Sequence, residues 1–277
     1  MIKIFLTVRN RLAITKKCIH ALKAHSVLPH QIYVYNNDTN HLLDRHFSYF
    51  YKMYEQGVID QISFTKDATT FNAFSKAATC NLFGLQHEQD PNKDKIGFLV
   101  FLDNDIIVTP KWDKTLLKAW TYVYQKNMNN IKVIGQLPGG IKYKSKEPYE
   151  VSEGLVGHVG KLGGSGLWSV RTNFFTDVGT LDLKLLVGQA KGHDQKYWTK
   201  LEQKTRGQGY IMGLKTKLGI HCGRDAGSVC NNLTRHRNKS TKNDVIKFAH
   251  NEEKIDNIPF DEFYEKIKND SFLANDW

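Results

Sequence analysis

Ile96-Gly97-Phe98-Leu99-Val100-Phe101-Leu102 runs without a charge into Asp103-Asn104-Asp105. The run is too short for an ordinary helix and is wholly apolar, so it reads as a strand buried on both faces. The polar triplet marks its carboxyl end, where the chain returns to water. Ile2–Val8 has the same character and is followed by Arg9-Asn10-Arg11, then by Ile14, Cys18, Ile19 and Leu22 at helical spacing. Residues 31–35 form a second strand, closed by the loop signal Asn36-Asn37-Asp38-Thr39-Asn40. Leu42, Leu43, Phe47 and Phe50 place a helix, residues 58–64 a third strand and 71–85 another helix. Beyond the triplet, 112–128 reads as a helix and 131–134 as a fifth strand.

Strands alternating with helices predict an α/β fold, a mainly parallel sheet flanked by helices on both faces. Ligands of such sheets sit beyond the carboxyl ends of the strands. Thr7, Asn36 and Asp103 are therefore expected along one rim. The second half carries weaker signals. Residues 135–170, rich in Gly, Lys and Ser, read as loops and irregular strands, 173–178 as a short helix, 194–204 as a helix and 214–220 as a strand. The tail that follows is basic at first and then mixed in charge. No repeat or low-complexity tract interrupts the chain.

With 277 residues, 40% of them hydrophobic, the chain can bury a substantial core. Its formal charge of +11 points to anionic partners. A nucleoside diphosphate is one, and a polyanionic acceptor or an anionic membrane surface accounts for the excess better. A lysine-rich proteome is the plain alternative. Cys18, Cys80, Cys222 and Cys230 are too scattered for a secreted disulfide framework. No charged leader precedes a long apolar stretch, and no run approaches the roughly 20 apolar residues of a membrane span. The expectation is a soluble, cytoplasmic protein.

Asp103 and Asp105, two residues apart at a strand end, can share work on a divalent cation. Oxygen ligands suit Mg²⁺ or Mn²⁺, which keep water and diphosphate oxygens in their shells. An ordinary Asp/Asn turn explains the same letters, so the triplet alone decides nothing. Other constellations are weaker. Cys222, Cys230, His221 and His236 contain no close Cys-x-x-Cys pair to anchor zinc. No GxxxxGK[ST] loop and no GxGxxG after a strand is present, which argues against a P-loop NTPase and a dinucleotide enzyme.

In context the chain resembles the GT-A fold glycosyltransferases, in particular the inverting, DxD-containing family 2 enzymes, from about residue 2 to 224. Leu6-Thr7-Val8-Arg9-Asn10-Arg11 is similar to the family's nucleotide-contacting opening, and the resemblance implies donor contacts from Thr7 and Arg9. Asn36-Asn37-Asp38-Thr39 stands where the family places an acidic or amide residue near the nucleoside, here Asn37; an Asn pair replaces the usual Asp. Phe71-Asn72-Ala73-Phe74-Ser75-Lys76-Ala77-Ala78 resembles a nucleotide-facing helix, with Asn72 and Lys76 four apart on one face. Gly163-Gly164-Ser165-Gly166-Leu167-Trp168 resembles the small-residue segment near the donor sugar, which implicates Gly164 and Ser165 and leaves Trp168 as pocket or core.

Gly192-His193-Asp194-Gln195 resembles the family's acidic pair at a helix start, with His193 in place of the first acid. The resemblance makes Asp194 the general base, though Asp is also a good helix N-cap. Leu218-Gly219-Ile220-His221-Cys222-Gly223-Arg224 resembles the closing strand whose His completes the metal site. It implies Asp105 and His221 as metal ligands, Asp103 and Asn104 at the nucleotide and Arg224 on the diphosphate. The implied domain spans 1–224, a nucleotide-binding half (1–135) and an acceptor half (136–224), followed by a basic extension (225–277).

The implied activity is a hexosyl- or pentosyltransferase using a nucleotide-sugar donor, a UDP-sugar, with Mn²⁺ or Mg²⁺. The transfer would be a single in-line displacement. Lys and Arg cluster at Lys142-Tyr143-Lys144-Ser145-Lys146 and at Arg235-His236-Arg237-Asn238-Lys239. Such clusters can track a phosphate backbone. They point to DNA as acceptor, at a hydroxylated or already glycosylated base, as in a phage-type DNA-modifying enzyme acting in the host cytoplasm. A saccharide, lipid-linked or protein acceptor stands beside that reading. So does a non-catalytic nucleotide-sugar or nucleic-acid binding module on the same scaffold, since fold does not fix function.

Overall fold

Four parallel strands, β1 (Ile2–Val8), β2 (His30–Asn36), β3 (Gln61–Phe64) and β4 (Phe98–Asp103), form one half of the sheet in the order β3-β2-β1-β4. Helices α1 (Leu12–His25), α2 (Asn40–Glu55) and α3 (Asn72–Gln89) connect them. The structure is a computed structural model, and it describes residues 1–8, 11–36, 40–64, 72–136, 149–160, 166–180, 200–222 and 253–269.

Side chains alternate across β1 and β4. Ile4, Leu6, Val100 and Leu102 enter one core cluster, and Phe5, Leu99 and Phe101 enter the other. Both faces are covered, which is why β4 reads as an unbroken apolar run and β1 as one broken only by Thr7 and by Lys3, which is buried and paired with Asp90. On the second face Phe5 stacks on Phe83 with ring centroids 5.2 Å apart, and Phe101 stacks on Trp168 at 4.3 Å.

Beyond β4 come β5 (Ile106–Val108), α4 (Trp112–Gln125), β6 (Val133–Gln136), β7 (Tyr149–Ser152), β8 (Leu155–Gly160), β9 (Leu167–Val170), α5 (Phe174–Val178), β10 (Ile211–Leu214), β11 (Gly219–His221) and α6 (Phe260–Asn269). Among the described residues one sheet has nine strands, ordered β3-β2-β1-β4-β9-β6-β10-β8-β7. Only β8 and β9 run against the others, so nine less two, seven strands, point the same way. The fold is the expected α/β layering around a mainly parallel sheet.

The second half departs from the sequence expectation in three places. Residues 135–170, expected as loops and irregular strands, contain β7, β8 and the fully buried β9, wedged antiparallel between β4 and β6. A four-residue strand covered on both faces shows no alternation, and its neighbouring glycines disguise it. Gly135 is required there, because a Cβ on it would lie 2.9 Å from the Leu167 carbonyl. Trp168 belongs to the core. Residues 214–220 are not one strand: β10 ends at Leu214, and β11 pairs instead with β5 in a separate two-stranded sheet. The third strand starts later than expected, because Val58 and Ile59 donate to the Met53 carbonyl and close α2.

Within the C-terminal extension, α6 packs on the main core. Phe260, Phe263 and Ile267 share a cluster with Ile14, Cys18 and Leu22 of α1. His20 stacks on Phe260 at 4.2 Å, Lys16 pairs with Asp256 at 2.6 Å, and Lys17 donates to the Ile258 carbonyl. Phe263→Ala is expected to lower the unfolding free energy by about 3 kcal/mol, the usual cost of emptying a buried aromatic site. Urea denaturation measures it, with an unchanged midpoint as the contrary result. No described helix is long and apolar enough to cross a membrane.

Candidate active site

Register fixes the rim of the sheet. Thr7 lies opposite Asp103 and Val8 opposite Asn36, so the carboxyl ends of β2, β1 and β4 stand side by side. The Asp103-Asn104-Asp105 turn is tied down on three sides. The Asp103 amide donates to the Gly166 carbonyl at 2.9 Å, the Asn104 amide to the Thr7 carbonyl at 3.2 Å and the Cys222 amide to the Asp105 carbonyl at 2.8 Å. Asn104 is buried, and its side-chain amide donates to Thr15 Oγ1 of α1 at 2.8 Å. Thr7 Oγ1 donates to Thr79 Oγ1 of α3 at 3.0 Å.

β11 brings His221 to this turn. The strand is held from behind by Gln136 Oε1, which accepts the Leu218 and Gly219 amides at 2.8 and 2.9 Å. Gly219 has no room for a side chain, since a Cβ would meet Ile106 Cγ2 at 2.5 Å. His221 Nε2 then lies 3.2 Å from Asp105 Oδ2. Arg11 Nη1 reaches the same oxygen at 2.5 Å. Arg11 is the residue before α1, with φ 59° and ψ 54° in the left-handed region, and its carbonyl accepts the amide and hydroxyl of Thr15. A side chain in that region costs about 1 kcal/mol, so packing and pairing hold Arg11 there.

Asp105 is only 5% exposed. Burial alone would raise its pKa, but the Arg11 guanidinium and then His221 more than offset burial and hold the carboxyl well below the usual carboxylate range. Burial likewise opposes charge on His221, and the adjoining Asp105 carboxylate outweighs it, raising the imidazole above its ordinary value. The second carboxylate oxygen, Asp105 Oδ1, is buried with no hydrogen-bond partner.

A carboxylate with a spare oxygen beside an imidazole fits Mn²⁺ or Mg²⁺. Among the described residues no group of three or more His, Cys, Asp or Glu side chains could hold an ion. Diphosphate oxygens and water would have to complete the shell, as they commonly do for these metals.

Of the residues singled out in the sequence, the structure brings Thr7, Asp103, Asn104, Asp105 and His221 to one rim. Asn72 and Lys76 lie on α3, their side chains outside the described residues. Arg9, Asn37, Gly164, Ser165, Asp194 and Arg224 lie outside the described residues altogether. Sequence reasoning missed three contributors. Arg11 was read as loop, although it follows the quoted Thr7-Val8-Arg9-Asn10. Thr15 and Gln136 act through long-range contacts that no local pattern announces. Asn36, expected on the rim, is fully buried at the end of β2 with both amide atoms unpartnered, while Asn37 lies outside the described residues.

No protein-family model and no curated protein matches the sequence. Solved structures do. The chain is similar to S. aureus TarS, with 14% identity and a TM-score of 0.51 over 97% of this chain and 44% of that one. It is similar to GalNAc-T7, solved with UDP, GalNAc and Mn²⁺, at 10% identity and TM-score 0.51 over 78% of this chain and 42% of that one. It is also similar to the mannosyltransferase PcManGT of Pyrobaculum calidifontis, solved with GDP-Man and Mn²⁺, at 9% identity and TM-score 0.53 over 92% of this chain and 69% of that one. The chain thus spans less than half of TarS and of GalNAc-T7. At these identities the likeness is one of fold: the chain shares the α/β fold of these glycosyltransferases.

Proposed function

We propose that the chain is a metal-dependent, inverting glycosyltransferase that moves a sugar from a nucleoside diphosphate donor, a UDP-sugar, to an acceptor hydroxyl. The meeting of Asp105 with His221 at 3.2 Å carries the reading. Asp105 ends the turn that leads from β4 into β5, and the pairing of β5 with β11 sets His221 opposite Ile106, beside it, on a rim that already holds Thr7 and Asp103. GalNAc-T7, solved with UDP, GalNAc and Mn²⁺, and PcManGT, solved with GDP-Man and Mn²⁺, support a metal-bound nucleotide sugar as the occupant.

Asp105 and His221 hold the ion; Asp103 faces the ribose or a metal-bound water; Asn104 shapes the turn through Thr15. When bound, the ion supplies positive charge against the leaving diphosphate. Asn36 offers the nucleoside a buried donor and acceptor, and pairing them relieves a cost of about 1–3 kcal/mol. Thr7, Arg9, Asn37, Asn72, Lys76, Gly164, Ser165 and Arg224 complete the donor contacts, and Asp194 takes the acceptor proton. Incubation with a panel of nucleotide sugars is expected to give Mn²⁺-dependent donor hydrolysis that a chelator stops. Turnover indifferent to chelator, or absent for every donor, overturns the reading.

The acceptor we infer is a hydroxylated base in DNA, from the +11 charge and the basic clusters at 142–146 and 235–239. Binding to duplex DNA is expected to weaken by about a hundredfold or more between 50 and 200 mM salt if several phosphates are contacted. Salt-insensitive or absent binding favours a saccharide, lipid-linked or protein acceptor.

A further inference from the structure

We propose that Arg11 is a built-in counter-cation: without nucleotide it holds the Asp105 oxygen that the metal needs, and it yields that oxygen when a diphosphate arrives. The proposal rests on the metal reading of the Asp105–His221 pair and assigns the regulation of that site. A buried carboxylate is costly to leave uncompensated. Arg11 compensates Asp105 at 2.5 Å, with both side chains almost fully buried. A divalent ion on Asp105 Oδ2 would lie within a few ångströms of the guanidinium, where two cations repel strongly in a dry site. An ion shared with His221, whose Nε2 lies 3.2 Å from Oδ2, therefore competes with the guanidinium for this carboxylate even where it also engages the partnerless Oδ1.

The fork of Arg11 has an obvious second partner. It is planar, permanently charged and matched to phosphate oxygens. Arg11 lies at the rim where the donor is placed, three positions beyond Val8. Its backbone also permits a move. The left-handed φ of 59° ends at a single residue, and a change to the right-handed region would add one residue to α1 and swing the side chain. Asp105 would then be free to ligate, with its second oxygen already unpartnered. Diphosphate and metal would each favour the other's arrival through Arg11, beyond their direct contact with each other. By linkage that coupling is reciprocal.

Electron paramagnetic resonance of free Mn²⁺, titrated with the full chain, reads this without turnover. For the unaltered protein, Mn²⁺ uptake is expected to be weak alone and much stronger with UDP. Arg11→Gln removes the competitor, so Mn²⁺ affinity without nucleotide is expected to rise about tenfold, with the strengthening by UDP reduced in step. Arg11→Lys, which keeps the charge but loses the fork, is expected to fall between them, and it decides the matter if the Gln variant fails to fold. Lys16→Gln removes a cation from the same helix, one paired with Asp256 instead, and is expected to leave Mn²⁺ uptake unchanged. Folded Arg11 variants with unchanged or weaker uptake than the unaltered protein overturn the proposal, as does a tenfold rise in Lys16→Gln, which would make the effect one of net charge. No uptake by any protein even with UDP overturns the metal reading and the proposal together.

Discussion

Asp105→Asn is expected to lower the rate of sugar transfer by at least about a thousandfold, the scale of losing a charge that stabilises a leaving group. Asparagine keeps the shape of the side chain, so the turn and the Cys222–Asp105 backbone bond can persist. The charge is lost, and with it the partner of both Arg11 and His221. Two consequences separate. Removing one member of a buried pair costs about 3–5 kcal/mol, so the variant should also melt earlier. The loss of rate should persist at temperatures where circular dichroism shows the variant folded. Transfer assays with saturating donor and Mn²⁺ measure it; a folded variant within tenfold of the unaltered rate would remove Asp105 from the metal role.

Asp194→Asn is expected to reduce kcat by about a hundredfold to ten-thousandfold, the range for losing a positioned general base, while leaving donor affinity nearly unchanged. The residue lies outside the described residues, and its assignment comes from Gly192-His193-Asp194-Gln195 alone. The contrast with Asp105→Asn is the useful part. One variant should bind a nucleotide sugar and fail to transfer it, and the other should lose the metal-dependent share of binding as well. Calorimetric titration of donor beside turnover distinguishes them. If Asp194→Asn turns over at a near-native rate, the base lies elsewhere, and helix capping is the residue's role.

How much was legible in the sequence depended on where a residue's partners lie. β1 and β4 could be read because burial on both faces leaves a nearly unbroken apolar run, and a polar turn must follow when such a strand ends. The same logic placed Thr7, Asn36 and Asp103 on one rim before any register was known. β9 could not be read, because four residues beside glycines carry no period. Its place between β4 and β6 is set by contacts such as Phe101 on Trp168, 67 positions apart by subtraction of their numbers. Arg11 and Gln136 are the same case at the site. Nothing around Arg11 says that it turns inward, and nothing near Gln136 announces that it steadies the strand bearing His221. The meeting of Asp105 with His221 was legible because a resemblance supplied the pairing that local pattern lacks.

The packing of α6 on α1 sets a clock on the ribosome. Lys16 and Asp256 stand 240 positions apart. At the usual 5–20 residues per second, roughly 10 to 50 seconds separate the emergence of the first helix from that of the segment that covers it. Through that interval the apolar flank of α1 that receives Phe260 and Phe263 stays bare, and the helix that anchors Arg11 and Thr15 lacks its outer support. A nascent chain stalled before residue 253 should therefore depend on chaperones, and Arg11 and Thr15 should be held firmly in place only once the late segment has closed over the early one.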